Sequence, residues 1–261
     1  CLEMLKRCPN ADHYRADLYG SLAMTGKGHL SDQIIIRTLA PRPVEVCFHM
    51  NEMKKHPNTL ELHAFDAEDG LLETMTVYSV GGGVIEIEGE DAAVHAPCYP
   101  HHTLDKIKAF CAAEHIGLNA YVDQFDDSDI SSYLNEILIQ MLKTVDAGLN
   151  ASGILPGRLK LERIARSLLQ EASDVHGSER EKLLLCAYAY AACEENASGG
   201  MSVTAPTLGS SGLLPALLYY YYYDLKYQRE TLVEGLKVAG LIGNLIKHNA
   251  TISGAQGGCQ A

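Results

Sequence analysis

The sequence predicts an α+β protein, with a small α/β domain at the N-terminus followed by an all-helical domain. Three observations predict it. Apolar and polar residues alternate in short runs up to about residue 88. An Asp-Gly turn joins two of those runs. From about residue 100 the apolar spacing lengthens to the helical 3.6.

In chain order, His13–Tyr19 alternates as a strand, and Leu30–Leu39 is an Ile-rich run, helical or strand-like. Val44–Phe48, Thr59–Phe65, Leu72–Val80 and Val84–Glu88 are β-type runs. Ala67-Glu68-Asp69-Gly70 reads as a hairpin turn, because Asp-Gly tolerates positive φ. These runs suggest a small antiparallel sheet with one or two covering helices. Pro97, Pro100 and the polar stretch Glu88–Asp91 mark a boundary, giving domains over 1–95 and 96–261.

Beyond the boundary, Ile130, Leu134, Ile137, Leu138, Met141, Leu142 and Val145 form one helical stripe within Ser128–Leu149, with Ser128 or Asp129 as cap. Ser178 with Glu181, and Thr231 with Glu234, match the capping-box pattern at two further helix starts. Pro156-Gly157 separates two helices. Tyr219–Tyr223 is a run of five tyrosines, which on a helix points in every direction and is expected to pack between helices.

The 261 residues are 47% apolar and 21% charged, the composition of a globular chain with room for two cores. A net charge of −12 without a Lys/Arg cluster argues against nucleic acid and for a small-molecule partner. The apolar stretches Leu213–Tyr223 and Val238–Ile246 fall short of the ~20 residues a membrane span needs, and no secretory h-region opens the chain, so the cytoplasm is the expected location. Cysteines at 1, 8, 47, 98, 111, 186, 193 and 259 lack the spacing of a disulfide scaffold or a C-x-x-C pair and are expected to be reduced. Cys186 and Cys193 fall on the apolar helix Lys182–Cys193, where a core role is expected.

Four segments are too rich in Gly, Ser, Thr and Asn for their apolar surroundings: Thr25-Gly26-Lys27-Gly28-His29, Tyr78–Gly83, Glu194–Gly200 running on to Thr204–Gly212, and Lys247–Cys259. Glycine runs let a backbone approach a ligand or present N–H groups to an anion, which suits a small carboxylate. Each segment alone equally suits an ordinary turn. Neither Walker spacing nor a dinucleotide fingerprint is present.

Together the segments are specific. Gly20-Ser21-Leu22-Ala23-Met24-Thr25-Gly26-Lys27-Gly28-His29, Tyr78–Gly83, Glu194-Glu195-Asn196-Ala197-Ser198-Gly199-Gly200, Thr204-Ala205-Pro206-Thr207, Lys247–Ala255 and Gly258-Cys259-Gln260 resemble, in order, the signature segments of iron–sulfur L-serine dehydratases. The resemblance implies β-elimination and deamination of L-serine to pyruvate and ammonia, with a [4Fe–4S] cluster as Lewis acid and no pyridoxal phosphate. The Ser-x-Lys segment and tetraglycine cup of pyridoxal phosphate dehydratases are absent from the sequence.

The resemblance further implies His29 and Ser79 as base and proton relay. An imidazole changes charge near neutral pH, whereas a serine hydroxyl needs activation by its neighbours. By the same resemblance Gly81, Gly82, Asn196, Ser198, Thr204 and Thr207 hold the substrate carboxylate and amine, Lys247 and Asn249 serve near the cluster, and Cys259 ligates it. The implied plan sets an allosteric-substrate-binding-like α/β domain against a helical serine dehydratase alpha-type domain, with the site between them and a homodimer as the assembly.

Cluster binding in that family takes three thiolates. The stretch after Ala205-Pro206-Thr207, where the family carries one, reads Leu208-Gly209-Ser210-Ser211-Gly212. The resemblance implies a third cysteine beyond Ala261 and a Ser-Ser-His-Thr segment ahead of Cys1. Three functions follow as expectations: the serine lyase, the related desulfidation of L-cysteine, or an amino-acid-binding protein of the same fold without a competent cluster.

Overall fold

The computed structural model describes residues 1–81, 84–91, 98–156, 159–203 and 211–249. These form two compact units, residues 1–91 and 98–249.

The first unit runs α1 (Leu2–Arg7), β1 (His13–Tyr19), α2 (Gly20–Gly26), α3 (Ser31–Leu39), β2 (Val44–His49), β3 (Asn58–Phe65), β4 (Leu71–Gly81) and β5 (Val84–Ile87). The five strands form one sheet in the order β2-β1-β3-β4-β5. Period-2 alternation builds its two faces. Tyr14, Ala16, Leu18, Val46, Leu62, Ala64, Met75 and Val77 point to one side and pack with Met4, Ala23, Ile35 and Leu39 of the helices. The β3–β4 turn is closed by Asp66, whose Oδ1 accepts from the N–H groups of Glu68 and Gly70, while Asp69 takes the left-handed position at φ 63°.

The expected antiparallel sheet is corrected in one respect. β1 and β2 pair in parallel, while β1–β3, β3–β4 and β4–β5 pair antiparallel. Parallel neighbours need a crossover, and α2 with α3 supplies it. Three helices, rather than one or two, precede or cross over this sheet. The crossover starts at Gly20, at φ +56°, where a Cβ would lie 2.5 Å from the Pro57 carbonyl oxygen. Only glycine meets both conditions without strain.

The other sheet face is polar and centres on Asp17, whose side chain is 3% exposed. Its carboxylate accepts from Arg15 at 2.9 and 2.8 Å, shares a 2.6 Å hydrogen bond with His49 Nε2 and lies 3.4 Å from His63 Nε2. Burial alone would raise this carboxyl, but the hydrogen bonds from Arg15 and His49 outweigh it and hold it below the ordinary carboxylate range. A folded-state value below the unfolded one, about 3.9, gives stability that is complete above that value and lost as pH falls through the folded value. Asp17→Asn is therefore expected to cost about 1–3 kcal/mol at pH 7, with the half-exposed Arg15 discounted. It should also flatten the loss of stability in acid; urea midpoints measured between pH 7 and 3 check both, and parallel curves for the two proteins would refute the assignment.

The second unit is all-helical among its described elements except for an isolated bridge between Ile154 and Glu162. It comprises α4 (Leu104–Glu114), α5 (Leu118–Phe125), α6 (Ile130–Asn150), α7 (Ala165–Glu171), α8 (Gly177–Ala197), α9 (Leu213–Tyr219) and α10 (Arg229–Asn249). The α6 stripe lies inward as its spacing predicts, with Leu138, Met141, Leu142 and Val145 buried against Leu184, Ala187, Tyr188 and Ala191 of α8. A smaller cluster joins Tyr99, Ile107, Cys111, Tyr121 and Val122 to Leu241 of α10. Between α5 and α10 the buried Lys237 ammonium lies 2.7 Å from both Asp123 and Glu234.

The capping expectations are corrected. Asp129 is the N-cap of α6, but its side chain makes no capping bond. α8 begins at Gly177 and α10 at Arg229, so Ser178 and Thr231 lie inside helices already under way. The tyrosine run divides: Tyr219 ends α9 buried and donates to Asp146 Oδ1 at 2.6 Å, while Tyr220–Asp224 widens into a π-helical turn that leaves Tyr221 and Tyr223 exposed. Packing between helices thus holds for Tyr219 and, half-buried, for Tyr220 and Tyr222, and not for Tyr221 and Tyr223.

Candidate functional site

In the first unit, His29 lies in the exposed turn between α2 and α3, its N–H donating to the Thr25 carbonyl at 3.1 Å. Thr25 Oγ1 donates in turn to the Ser21 carbonyl. The turn is held on the β2 side of the sheet: a Cβ on Gly26 would meet the Phe48 ring at 2.8 Å, and the Lys27 ammonium lies 5.4 Å from that ring's centre. Ser79 sits half-buried on β4, its carbonyl accepting from Asn58 Nδ2, and Gly81 ends the strand at φ +104°. Three strand spacings separate β2 from β4, roughly 14 Å. No hydrogen bond joins His29 to Ser79, and Gly82 lies outside the described residues. A shallow groove of about 970 Å³ at the start of β1, lined by Asp12–Arg15, Pro43–Glu45, Phe65 and Asp69, contains none of these candidates.

In the second unit the structure organises the Glu194–Gly200 segment from below. Glu194 ends the buried face of α8 and is 3% exposed. Its Oε1 accepts from the N–H groups of Ile164 and Ala165 at 2.7 and 3.2 Å, the free donors at the start of α7. Its Oε2 is buried without a hydrogen-bond partner among the described residues, 3.9 Å from the Arg163 guanidinium. Arg163, itself almost wholly buried, pairs with Glu195 at 3.0 Å and donates to Ser198 Oγ. Ser198 Oγ donates onward to the Glu194 carbonyl at 2.7 Å. The segment carrying Asn196 and Ser198 is thus tied at both ends by a buried ion-pair network.

Beyond it, the Met201 carbonyl accepts from Thr144 Oγ1 at 2.7 Å, and Ser202 Oγ is buried without a partner among the described residues. Thr204 and Thr207 lie outside those residues, as does Cys259. Lys247 and Asn249 are exposed at the end of α10, where Asn249 Nδ2 donates to the Leu245 and His102 carbonyls and His248 stacks on His102.

The two segments lie at different levels along α6. α8 runs antiparallel to α6, since Gly148 meets Ala191 and Gln140 and Thr144 meet Met201. α10 is antiparallel to α6 too, because Leu232 and Leu236 join the cluster of Leu138–Val145 while Leu241 and Leu245 join that of Ile130. The end of α8 therefore lies beside the middle of α6, near Gln140 and Thr144, and the end of α10 beside its start, near Ile130, roughly 15–20 Å away along the axis.

Arg163, Glu194 and Glu195 are the residues the sequence reading missed. Two adjacent glutamates closing an apolar helix were the available signal. Arg163, in an irregular stretch well upstream, gives none.

The cysteine expectation is also corrected: Cys186 and Cys193 are both exposed. Cys193 lies against Gly212, where a Cβ would fall 2.5 Å from its sulfur and 2.8 Å from the Ala189 carbonyl oxygen. Partial desolvation of the sulfur by the chain packed beside it pushes the Cys193 thiol up, against a lesser lowering by the Gly212 N–H. The neighbouring Ser211 is 2% exposed and its Oγ has no partner among the described residues, a cost of about 1–3 kcal/mol if nothing else meets it.

Among the described residues no group of three or more His, Cys, Asp or Glu side chains is arranged to hold a metal ion. They offer an iron–sulfur cluster one thiol at this segment, Cys193, beside one orphaned buried hydroxyl. No described helix is long and apolar enough to cross a membrane.

The family model for the serine dehydratase alpha chain matches residues 45–261. An L-serine dehydratase of Streptomyces coelicolor is 34% identical over 94% of this chain and 65% of its own length. L-serine dehydratase 1 of Escherichia coli is 32% identical over 94% of this chain and 64% of its own. The L-serine dehydratase of Haemophilus influenzae is 32% identical over the same share of this chain and 65% of its own. The chain thus spans somewhat less than two thirds of the length of these curated relatives.

Proposed function

Because the chain belongs to the serine dehydratase alpha-chain family, we propose that it acts in the dehydration and deamination of L-serine to pyruvate and ammonia. The observation that carries this reading is the Glu194–Ser198 segment. A polar stretch at the end of a core helix is held by a buried Arg163–Glu195 pair and by Glu194 on the start of α7, inside the region the family model covers. Burying charges to hold a short loop is costly, and sites that must keep a fixed geometry justify that cost.

The chemistry needs an α-proton removed, a hydroxide expelled, and the resulting enamine converted to an imine that water hydrolyses. A [4Fe–4S] cluster, when bound, supplies Lewis acidity toward the leaving hydroxyl. His29, in its exposed turn, takes the α-proton, and Ser79 relays protons on the β4 side. Ser198 already donates its only proton to the Glu194 carbonyl, so it offers the substrate an acceptor and suits the ammonium group. Asn196, with both donor and acceptor, and the backbone of Gly81 and Gly82 suit the carboxylate. Thr204 and Thr207 complete these contacts, and Lys247 and Asn249 act near the cluster, which Cys259 ligates. The enzyme works without pyridoxal phosphate, as a homodimer in the cytoplasm.

The missing cysteine in Leu208–Gly212 favours a second reading, an amino-acid-binding protein of this fold without a competent cluster. Anaerobic purification of the full-length protein separates the two. Iron and sulfide together with pyruvate formation from L-serine are expected; a colourless protein that binds L-serine by calorimetry and forms no pyruvate would establish the second reading instead. Faster release of sulfide from L-cysteine than of pyruvate from L-serine would reassign the substrate.

A further inference from the structure

The β2–β3 connection crosses the end of β1 and ties two of the polar segments together. Gly20 N–H donates to the Glu52 carbonyl at 3.0 Å and Ser21 N–H to the Pro57 carbonyl at 2.8 Å, while Asn58 Nδ2 donates to the Ser79 carbonyl at 3.4 Å. Half-buried His56 lies on this connection, its ring centre 6.2 Å from that of Tyr78, the neighbour of Ser79. The residue is held at two points. Its carbonyl accepts from Thr59 Oγ1 at 2.6 Å, and its Nδ1 accepts from the Asn58 backbone N–H at 3.0 Å. An uncharged ring that accepts at Nδ1 carries its proton on Nε2. That Nε2 is buried and has no hydrogen-bond partner among the described residues. An N–H buried without an acceptor is costly, and such groups persist where a ligand, ion or water meets them.

Resting on the serine-lyase reading above, we infer that His56 is a further substrate-binding residue, whose Nε2–H donates to the carboxylate of L-serine at the end of β4. Of the three polar groups of that substrate, the ammonium only donates and the hydroxyl does both. The carboxylate only accepts, and its charge strengthens the bond from an N–H. The location agrees, since Ser79 and Gly81 follow Tyr78 on the same strand and the backbone of Gly81 suits the same carboxylate. The Lys55 ammonium, 5.5 Å from the centre of the Tyr78 ring, adds positive charge beside it. His56 differs in role from His29. With Nδ1 held by Asn58 and a proton already on Nε2, its ring has no free basic nitrogen for the α-proton, so it binds substrate and does not act as the base.

The test uses the full-length protein and pairs L-serine with L-serinamide, which lacks the carboxylate. His56→Phe keeps a ring beside Tyr78 and removes the donor. It is expected to raise KM for L-serine, and Kd by calorimetry, about 10–100-fold with kcat within about threefold, the loss of one hydrogen bond to a charged group. Affinity for L-serinamide should stay within about twofold. A purely structural His56 would weaken both ligands alike, and that result overturns the inference, as does an unchanged KM for L-serine; either leaves the proposed function standing. His56→Ala repeats the contrast where phenylalanine disturbs packing. The wild type supplies a check that needs no variant: it should bind L-serine at least about tenfold more tightly than L-serinamide, and equal affinities overturn the inference. A wild type that neither binds nor consumes L-serine overturns the proposed function together with the inference.

Discussion

Replacing His29 with alanine is expected to lower kcat for pyruvate formation by about 10²–10⁴-fold, the usual contribution of a positioned general base. The variant should keep its iron content and its melting temperature. His29 is exposed, and the hydrogen bond that orders its turn comes from its backbone N–H, which alanine retains. The loss should fall on kcat more than on KM, because a base acts on the α-proton in the transition state and holds no part of the ground-state substrate. Activity within a few-fold of wild type would remove His29 from the mechanism. A loss accompanied by a fall in iron would make it a structural residue of the α2–α3 turn.

Substituting Gly148 is expected to have the largest effect on stability. α6 and α8 cross there so closely that a Cβ would lie 2.2 Å from the Ala191 carbonyl oxygen and 2.5 Å from its carbon, both backbone atoms that cannot rotate away. The crossing forms the middle of the main helical cluster, between Val145 and Ala191. Gly148→Ala should cost about 2–3 kcal/mol by overpacking, and Gly148→Leu more than about 4. The larger change corresponds to a melting temperature lower by about 10 °C or an insoluble product. Gly235→Ala on α10 is the control: nothing lies within 4 Å of its added Cβ, and it should stabilise by about 0.5–1 kcal/mol. Equal effects of Gly148→Ala and Gly235→Ala in thermal melts would show that the close crossing does not limit stability.

The elements and their faces were largely legible. Alternation in β1, β3 and β4 sorted core from polar residues because a strand's side chains have a strict period of two, and the α6 stripe fell inward for the equivalent helical reason. The exposed face of α8 was misread as core, although Cys186, Tyr190 and Cys193 recur at helical spacing opposite Leu184, Ala187, Tyr188 and Ala191. The apolar content of that helix hid the pattern, since cysteine and tyrosine count as hydrophobic wherever they point. The capping-box matches misled because the same residue pattern arises inside a helix that tertiary contacts have already started upstream.

The sequence by itself determined the strands of the first unit, the inward stripe of α6 and where the chain changes character, because each depends on neighbours within a turn or two. The parallel pairing of β2 with β1, the Arg163–Glu194–Glu195 network under Ser198, the backbone contact of Gly148 with Ala191 and the meeting of Cys193 with Gly212 were decided only in three dimensions. Each joins residues about 20 to 45 positions apart, and such contacts arise from how whole helices and strands pack, which no local period records.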